Sequence, residues 1–159
     1  MPGSSESICH AYFPPGTDAS LALQRRLYGW PTWAHDHPDW VGGTWIDTSK
    51  AHLVVALVPD TNLGAVERAL RATHLNPSVI EYRHVERSEA QLQAEATAFF
   101  KDEVPKLVKE GYQVSSVGPQ EIRNVNCVGV VDLTDAGRRI LEARYPTMRF
   151  VGEGPIIGN

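Results

Sequence analysis

The spacing of apolar positions changes several times along the chain, and each change predicts a new element. Residues 43–50 and 51–58 indicate two strands around a turn, and the second is almost continuous in Leu and Val, as in a covered sheet strand. Helical spacing follows over residues 60–73, and strand alternation returns over residues 78–85. The helix begins after a residue that can cap it, namely Asp60, Thr61 or Asn62.

The same order of elements recurs later in the chain. Residues 112–133 predict two strands around a turn at Gly118-Pro119, and residues 134–145 predict a helix capped by Thr134 or Asp135. Residues 148–152 supply the closing strand. A β-β-α-β pattern therefore appears twice with an offset of roughly 73 positions, which favours an α+β fold of two related lobes with antiparallel sheets.

A long helix is predicted to join the two lobes. Ser88 and Gln91 form a capping-box pattern at its start, and Pro105 should kink it because proline removes one ladder hydrogen bond. The residues before the first lobe are rich in Pro and Gly, and one short helix capped by Asp18 is expected there. The predicted organisation is an irregular segment 1–43, a lobe 44–87, a helix 88–110, a lobe 111–153 and a tail 154–159.

Charge and composition exclude several classes of partner. The net charge is −4 and the arginines are scattered, so the chain lacks the basic face that nucleic acids require. No apolar run reaches the roughly 18 residues of a membrane helix, and the N-terminal residues do not resemble a signal peptide. Cys9 and Cys127 are far apart in sequence, and without an export signal we expect reduced thiols in the cytoplasm.

Catalytic and metal-binding patterns are weak. His35, Asp36, His37 and Asp39 are good metal ligands by type, but no further His or Cys lies close by in sequence. A loop held by local hydrogen bonds is the favoured interpretation. Cys127 lies in a core-like strand and is expected to be inert, and no nucleophile elbow, P-loop or metalloprotease motif is present. The sequence predicts a protein that is not an enzyme and needs no cofactor or metal.

The tryptophans are the strongest candidates for binding. All four lie within sixteen positions, and large rigid aromatic side chains are common at binding hot spots. They either form a surface for a peptide or anchor the N-terminal segment to the sheet, and alanine at Trp33 and Trp40 tests the first alternative. The candidate peptide-binding residues are Tyr28, Trp30, Trp33, Trp40 and Trp45.

Three stretches carry a resemblance to a known family. "DLTDAGRRILEARYPTMRFVGEG", "GGTWIDTSKAHLVVALV" and "VIEYRHVERSEAQLQA" resemble the pro-segment-like domain that precedes trypsin-like serine peptidases in actinobacteria and their relatives. The resemblance covers about residues 42–153. It implies a non-catalytic domain that binds a polypeptide such as a peptidase domain, with a tail that leads toward the peptidase cleft. Ile156 and Ile157 are the apolar residues of that tail.

The resemblance and the size of the chain together suggest a function. We expect a peptide-binding protein that holds a precursor peptide for modifying enzymes in ribosomal peptide natural-product biosynthesis, as in crocagin-type pathways. The alternative is a trans-acting inhibitor or folding chaperone of a trypsin-like peptidase. An edge strand offers main-chain groups to an extended peptide, and the same edge is equally suited to a homodimer.

Overall fold

The computed structural model describes residues 4–10, 16–27 and 29–154. The chain divides into two compact units. We call Tyr12–Gln91 the inserted unit, because it separates the two parts of the other unit in sequence. That other unit, here called the split unit, consists of Met1–Ala11 and Leu92–Asn159. Its first part contains the short helix α1 (Ser5–Cys9).

The inserted unit contains two helices, a hairpin, a third helix and a closing strand. The three strands form one sheet in the order β1-β2-β3. A short 3₁₀ turn at Pro77–Val79 leads into the last strand. The elements are α2 (Asp18–Arg26), α3 (Trp30–His35), β1 (Val41–Asp47), β2 (His52–Leu57), α4 (Leu63–Arg71) and β3 (Ile80–His84).

The split unit repeats this order after its N-terminal helix. Its three strands form a second sheet in the order β4-β5-β6. The first three residues of the long helix α5 still belong to the inserted unit. The elements are α5 (Glu89–Asp102), α6 (Val104–Lys109), β4 (Val114–Gln120), β5 (Val125–Val131), α7 (Asp135–Arg144) and β6 (Met148–Glu153).

The fold is therefore α+β with two related lobes, as the sequence predicts, but the sheets are mixed. Strand β1 is antiparallel to β2, whereas β3 runs parallel to β2. The split unit shows the same arrangement for β4, β5 and β6. The prediction of antiparallel sheets was wrong because the helix between the last two strands carries the chain back to the starting end, which makes parallel pairing possible.

The two sheets repeat each other down to the register. Val41 pairs with Leu57 and Val114 pairs with Val130, so both partners move by 73 positions. Both hairpins carry a register shift just after this pair. In both turns the residue before the second strand is left-handed, with φ of 53° at Ala51 and 55° at Asn124. The hydrogen-bond pattern thus strengthens the interpretation of an internal duplication.

The repeat extends further toward the N-terminus than the sequence indicated. A pair of helices precedes each hairpin, and the second helix of each pair has proline as its second residue, Pro31 in α3 and Pro105 in α6. Helices α5 and α6 therefore correspond to α2 and α3. Segment 1–43 is less irregular than predicted, because its described residues include three helices, of which α2 is the one short helix that the sequence indicated.

Most of the helix caps that the sequence predicted are confirmed. Ser88 and Gln91 form the predicted capping box, with bonds of 2.8 and 3.2 Å. Pro105 does more than kink its helix, since α5 ends at Asp102 and a new helix begins at Val104. Among the alternatives, Asn62 caps α4 and Thr134 caps α7, whereas Thr17 caps α2 in place of the predicted Asp18.

The predicted turn at Gly118-Pro119 was also wrong. Both residues lie inside β4, and the turn comes at residues 121–124. Proline is tolerated because β4 is an edge strand, where a missing N–H faces away from the neighbouring strand. None of the helices in the described part of the chain has the length and apolar character needed to cross a membrane.

Each unit has its own apolar core on the helical side of its sheet. The larger buried residues of the inserted unit are Leu23, Leu27, Trp30, Val41, Leu53, Val55, Leu57, Val66, Leu70 and Leu75. Those of the split unit are Phe99, Leu107, Val128, Val130, Leu141, Met148 and Phe150.

Candidate functional site

Three of the four tryptophans form a stack at α3 and the turn after it. Trp30 is 1% exposed, and its ring stacks on Trp33 with centroids 5.2 Å apart. The ring of His37 stacks on Trp33, with centroids 4.0 Å apart, and contacts Trp40 at 5.1 Å, while the rings of Trp33 and Trp40 lie 6.4 Å apart. The Nδ1 atom of His37 lies 2.7 Å from the Trp33 carbonyl oxygen, which fixes the imidazole in the stack.

The stack anchors the helical segment to the sheet. Trp33 and Trp40 are half-buried and pack against the core of the inserted unit. The carbonyl of Trp40 also accepts hydrogen bonds from the Val58 N–H, at 3.0 Å, and from the Thr61 hydroxyl, at 3.1 Å. Trp33 and Trp40 are therefore structural anchors, and their replacement by alanine would damage the fold before it reported on binding.

Trp45 occupies a different position. It lies in β1 opposite Val54, on the face of the sheet away from the core residues Leu53 and Val55. The guanidinium carbon of Arg83 lies 5.2 Å from its ring centroid, which is a cation–π contact. At the end of the same strand, a hydrogen bond from the Ser49 hydroxyl lowers the pKa of Asp47 and holds the hairpin turn.

A groove runs beside the free edge of β1, between that strand and helices α2 and α3. Its volume is about 550 Å³, which lies within the roughly 300–1,000 Å³ usual for ligand sites. Most of its wall is apolar. We call it the β1 groove and define it by Gln24, Leu27, Trp30, Pro31, Thr44, Trp45, Ile46 and Leu53.

The hydrogen-bond pattern of the sheet shows which main-chain groups of β1 face this groove. Val85 on the β3 side donates to Leu57, so alternate residues of β2 at 53, 55 and 57 face β3. Residues 52, 54 and 56 therefore face β1, where their partners are residues 47, 45 and 43. The remaining residues of this part of β1, Thr44 and Ile46, present their N–H and C=O groups to the open edge.

The corresponding edge of the split unit lacks these features. The shift of 73 positions places Gly118 at the position of Trp45 and Pro119 at that of Ile46. Proline has no N–H, so β4 cannot offer the donor that Ile46 offers. The combination of aromatic groove and open donor is thus a property of the inserted unit.

The other edge of the split unit is closed by side chains. The Arg138 Nε atom donates to the Phe150 carbonyl oxygen at 3.0 Å, and the Phe150 N–H donates to a Glu142 carboxylate oxygen at 3.2 Å. Helix α1 reinforces both groups, because Ser5 donates to Glu142 and Arg138 pairs with Glu6. Strand β6 is therefore unable to accept a further strand at Phe150 without losing these bonds.

Cys9 and Cys127 form a disulfide that ties α1 to β5. The expectation of reduced thiols and of an inert Cys127 was wrong, because sequence separation conceals their proximity in space. Residue 127 lies on the face of β5 opposite the core residues Val128 and Val130, where α1 can reach it.

Other candidate residues do not gather into a site. His35 and Asp36 lie 3.9 Å apart on the exposed side of the α3 turn, whereas His37 belongs to the tryptophan stack. Within the described ranges, no three His, Cys, Asp or Glu side chains are grouped so as to hold a metal ion. Tyr28, Ile156 and Ile157 lie outside the described residues.

Sequence reasoning identified Trp30 and Trp45 of the groove but missed Leu27, Thr44 and Ile46. Strand alternation could have placed Thr44 and Ile46 on one face of β1, but the free edge depends on sheet order, which alternation does not encode. A scan against protein-family models found no match, and a search of curated proteins found none with significant similarity.

Proposed function

We propose that the inserted unit binds an extended polypeptide, which adds to β1 as a further strand. The observation that carries this proposal is the open main chain of Thr44 and Ile46 beside the β1 groove. Main-chain hydrogen bonds to an edge strand supply affinity for any extended peptide, and pockets for alternate side chains supply selectivity.

The groove favours a segment with apolar residues on one face. Side chains of an added strand alternate between the two faces of the sheet, so every second residue would point toward Leu27, Trp30 and Leu53. Trp45 would pack against the residues on the opposite face. This mode of binding requires no catalytic group, and a non-enzymatic role is part of the proposal.

Two biological settings suit such a binder. In the first, the peptide is the precursor of a ribosomal natural product, held for modifying enzymes in the cytoplasm. The expectation of a cytoplasmic location rested partly on reduced thiols, and the Cys9–Cys127 disulfide removes that argument. In the second, the partner is a trypsin-like peptidase, and here the disulfide is a favourable observation, since stable disulfides belong to oxidising compartments.

Selection from a displayed library of random extended peptides tests the proposed binding mode. We expect the wild type to enrich peptides with apolar residues at alternate positions. Ile46→Pro should weaken their binding by roughly tenfold or more, because it removes an edge donor. The split unit carries proline at the corresponding position of an intact strand, so the substitution is compatible with this sheet.

Ile46→Val is the matched control, since it keeps the N–H and alters the groove by one methylene. Circular dichroism must show that both variants are folded. Equal affinity of folded Ile46→Pro and wild type would exclude the β1 edge, and a failure to enrich any peptide would remove the proposal. Inhibition of trypsin that disappears on deletion of residues 154–159 would favour the peptidase setting over the precursor setting.

A further inference from the structure

Strand β3 has a second open edge in the inserted unit, and it is distinct from the β1 groove. Tyr82 is 45% exposed, and Arg83 and His84 are exposed as well. Because Val85 donates to Leu57, residues 81, 83 and 85 face β2, and the main chain of Tyr82 faces outward. No described residue forms a hydrogen bond with the outward-facing main-chain N–H or C=O of Tyr82.

The equivalent residue in the split unit is Phe150, whose main chain is closed. Tyr82 pairs with Val55, and Phe150 pairs with Val128, which lies 73 positions after Val55. Arg138 and Glu142 bond the main chain of Phe150. The same position of the fold is thus blocked in one unit and open in the other.

Charges around Tyr82 are arranged in opposite pairs along the strand. Glu81 and Arg83 lie on either side of it, on the sheet face that carries Trp45. Within one chain the Glu81 carboxylate lies 3.5 Å from the Arg83 guanidinium and 3.9 Å from Lys50 and His52, so a cross-strand ion pair would form by exchange of these exposed partners. Glu67 and Arg71 of α4 lie near the Tyr82 hydroxyl on the other face. Burial raises the pKa of Tyr82, the Glu67 carboxylate raises it further, and the Arg71 guanidinium lowers it.

We infer that β3 pairs with β3 of a second copy of this chain, antiparallel and centred on Tyr82. The two copies of Tyr82 then exchange both main-chain hydrogen bonds across a two-fold axis. Glu81 of each copy stands opposite Arg83 of the other, which forms two cross-strand ion pairs. The β1-β2-β3 sheet of one copy and the β1-β2-β3 sheet of the other then form one continuous sheet through this contact.

Charge complementarity selects this occupant and this orientation. A parallel in-register pairing would place Glu81 against Glu81 and Arg83 against Arg83, and directly opposite like charges destabilise a strand pair. The antiparallel pairing also brings Glu67 of one α4 toward Arg71 of the other. An unrelated peptide would need a matching acidic and basic residue, whereas a second copy always supplies them.

The size of the contact limits its strength. Strand β3 has five residues, so the interface lies at the small end of specific protein contacts. We therefore expect a dimer that dissociates on dilution, with a dissociation constant on the order of micromolar or weaker.

Sedimentation velocity over a concentration series tests the inference. Glu81→Arg and Arg83→Glu each place like charges opposite one another, and each should raise the dissociation constant by roughly tenfold or more. The double variant Glu81→Arg/Arg83→Glu restores both ion pairs and should dimerise as the wild type does. An equimolar mixture of the two single variants should form a heterodimer, because every opposed pair is again of opposite sign.

Asp102→Arg and Lys109→Glu are matched controls, since they make the same charge changes at exposed positions in the split unit. They should leave dimerisation unchanged. The contact of Arg83 with Trp45 is lost in both Arg83→Glu and the double variant, so it does not account for a difference between them.

A wild type that remains monomeric at high concentration overturns the inference. It is equally overturned by a dimer that both single variants retain, or by a mixture that fails to associate. The inference is independent of peptide binding at β1, since Ile46→Pro should leave the dimer intact and Glu81→Arg should leave the β1 groove intact.

Discussion

At the scale of single residues, the tryptophans divide into two roles. Trp33 and Trp40 both contact the ring of His37 and pack on the core, so they fix the turn that leads into β1. Trp30 and Trp45 also line the β1 groove. Aromatic residue type alone does not distinguish an anchor from a binding surface, because both uses depend on the same large rigid ring.

Trp33→Ala should lower the free energy of unfolding of the inserted unit by about 2–4 kcal/mol, through loss of buried ring area and of the stack with His37. Denaturation followed by tryptophan fluorescence measures this, since all four tryptophans lie in that unit. Phe100→Ala is the control, because Phe100 is 64% exposed and its loss should change stability by less than about 0.5 kcal/mol. A Trp33→Ala variant as stable as the wild type would remove Trp33 as an anchor.

At the scale of elements, the sheet edges decide what each unit can bind. In the split unit, Pro119 removes one edge donor from β4, and Arg138 and Glu142 bond the edge main chain of β6 at Phe150. Among the residues that the structure describes, none bonds the edge main-chain groups of Ile46 or Tyr82 in the inserted unit. Unprotected edges are sites of strand addition, and proteins otherwise block them. The duplicated architecture therefore combines a unit whose edges are partly blocked with a unit whose edges are less protected.

Glu142→Ala should accelerate hydrogen exchange of the Phe150 amide by roughly fivefold, because that amide loses its acceptor. Exchange measured by nuclear magnetic resonance reports this single position. Glu142→Gln keeps an acceptor oxygen and should retain most of the protection. Protection that is unchanged in Glu142→Ala would show that the carboxylate does not close the β6 edge.

At the scale of the whole molecule, the Cys9–Cys127 disulfide completes a unit that is discontinuous in sequence. The cross-link spans 118 positions, and the residues of the inserted unit lie between the two cysteines in sequence. A cross-link over so long a loop restricts the unfolded chain strongly. It also retains α1, whose Ser5 and Glu6 bond the residues that close the β6 edge.

Cys9→Ser/Cys127→Ser should lower the free energy of unfolding of the split unit by about 2–5 kcal/mol, because the unfolded chain regains the freedom of that loop. Chemical denaturation followed by far-ultraviolet circular dichroism measures the loss. Reduced wild type is the control and should match the double variant. Two free thiols titrated in denatured, unreduced protein would contradict the cross-link.

The sequence alone determined the local features of this protein. Helical and strand periodicity established the α+β class, the repeated order of elements and their spacing of about 73 positions. The Ser88–Gln91 capping box and a disturbance of the helix at Pro105 were also predictable, although a kink was expected and the helix ends there instead. Each single element and each helix end depends on residues that are close in sequence, so the residues that form the sequence pattern are also the residues that interact.

Only the tertiary structure decided the features that join distant parts of the chain. The parallel direction of β3 and β6, the disulfide, and the closing of β6 by Arg138 and Glu142 all involve partners that periodicity does not pair. The same holds for the open main chain of Ile46 and Tyr82, since a free edge is defined by the absence of a neighbouring strand. Apolar spacing specifies which face of an element is buried, whereas strand order and side-chain partners are selected by packing among elements far apart in sequence.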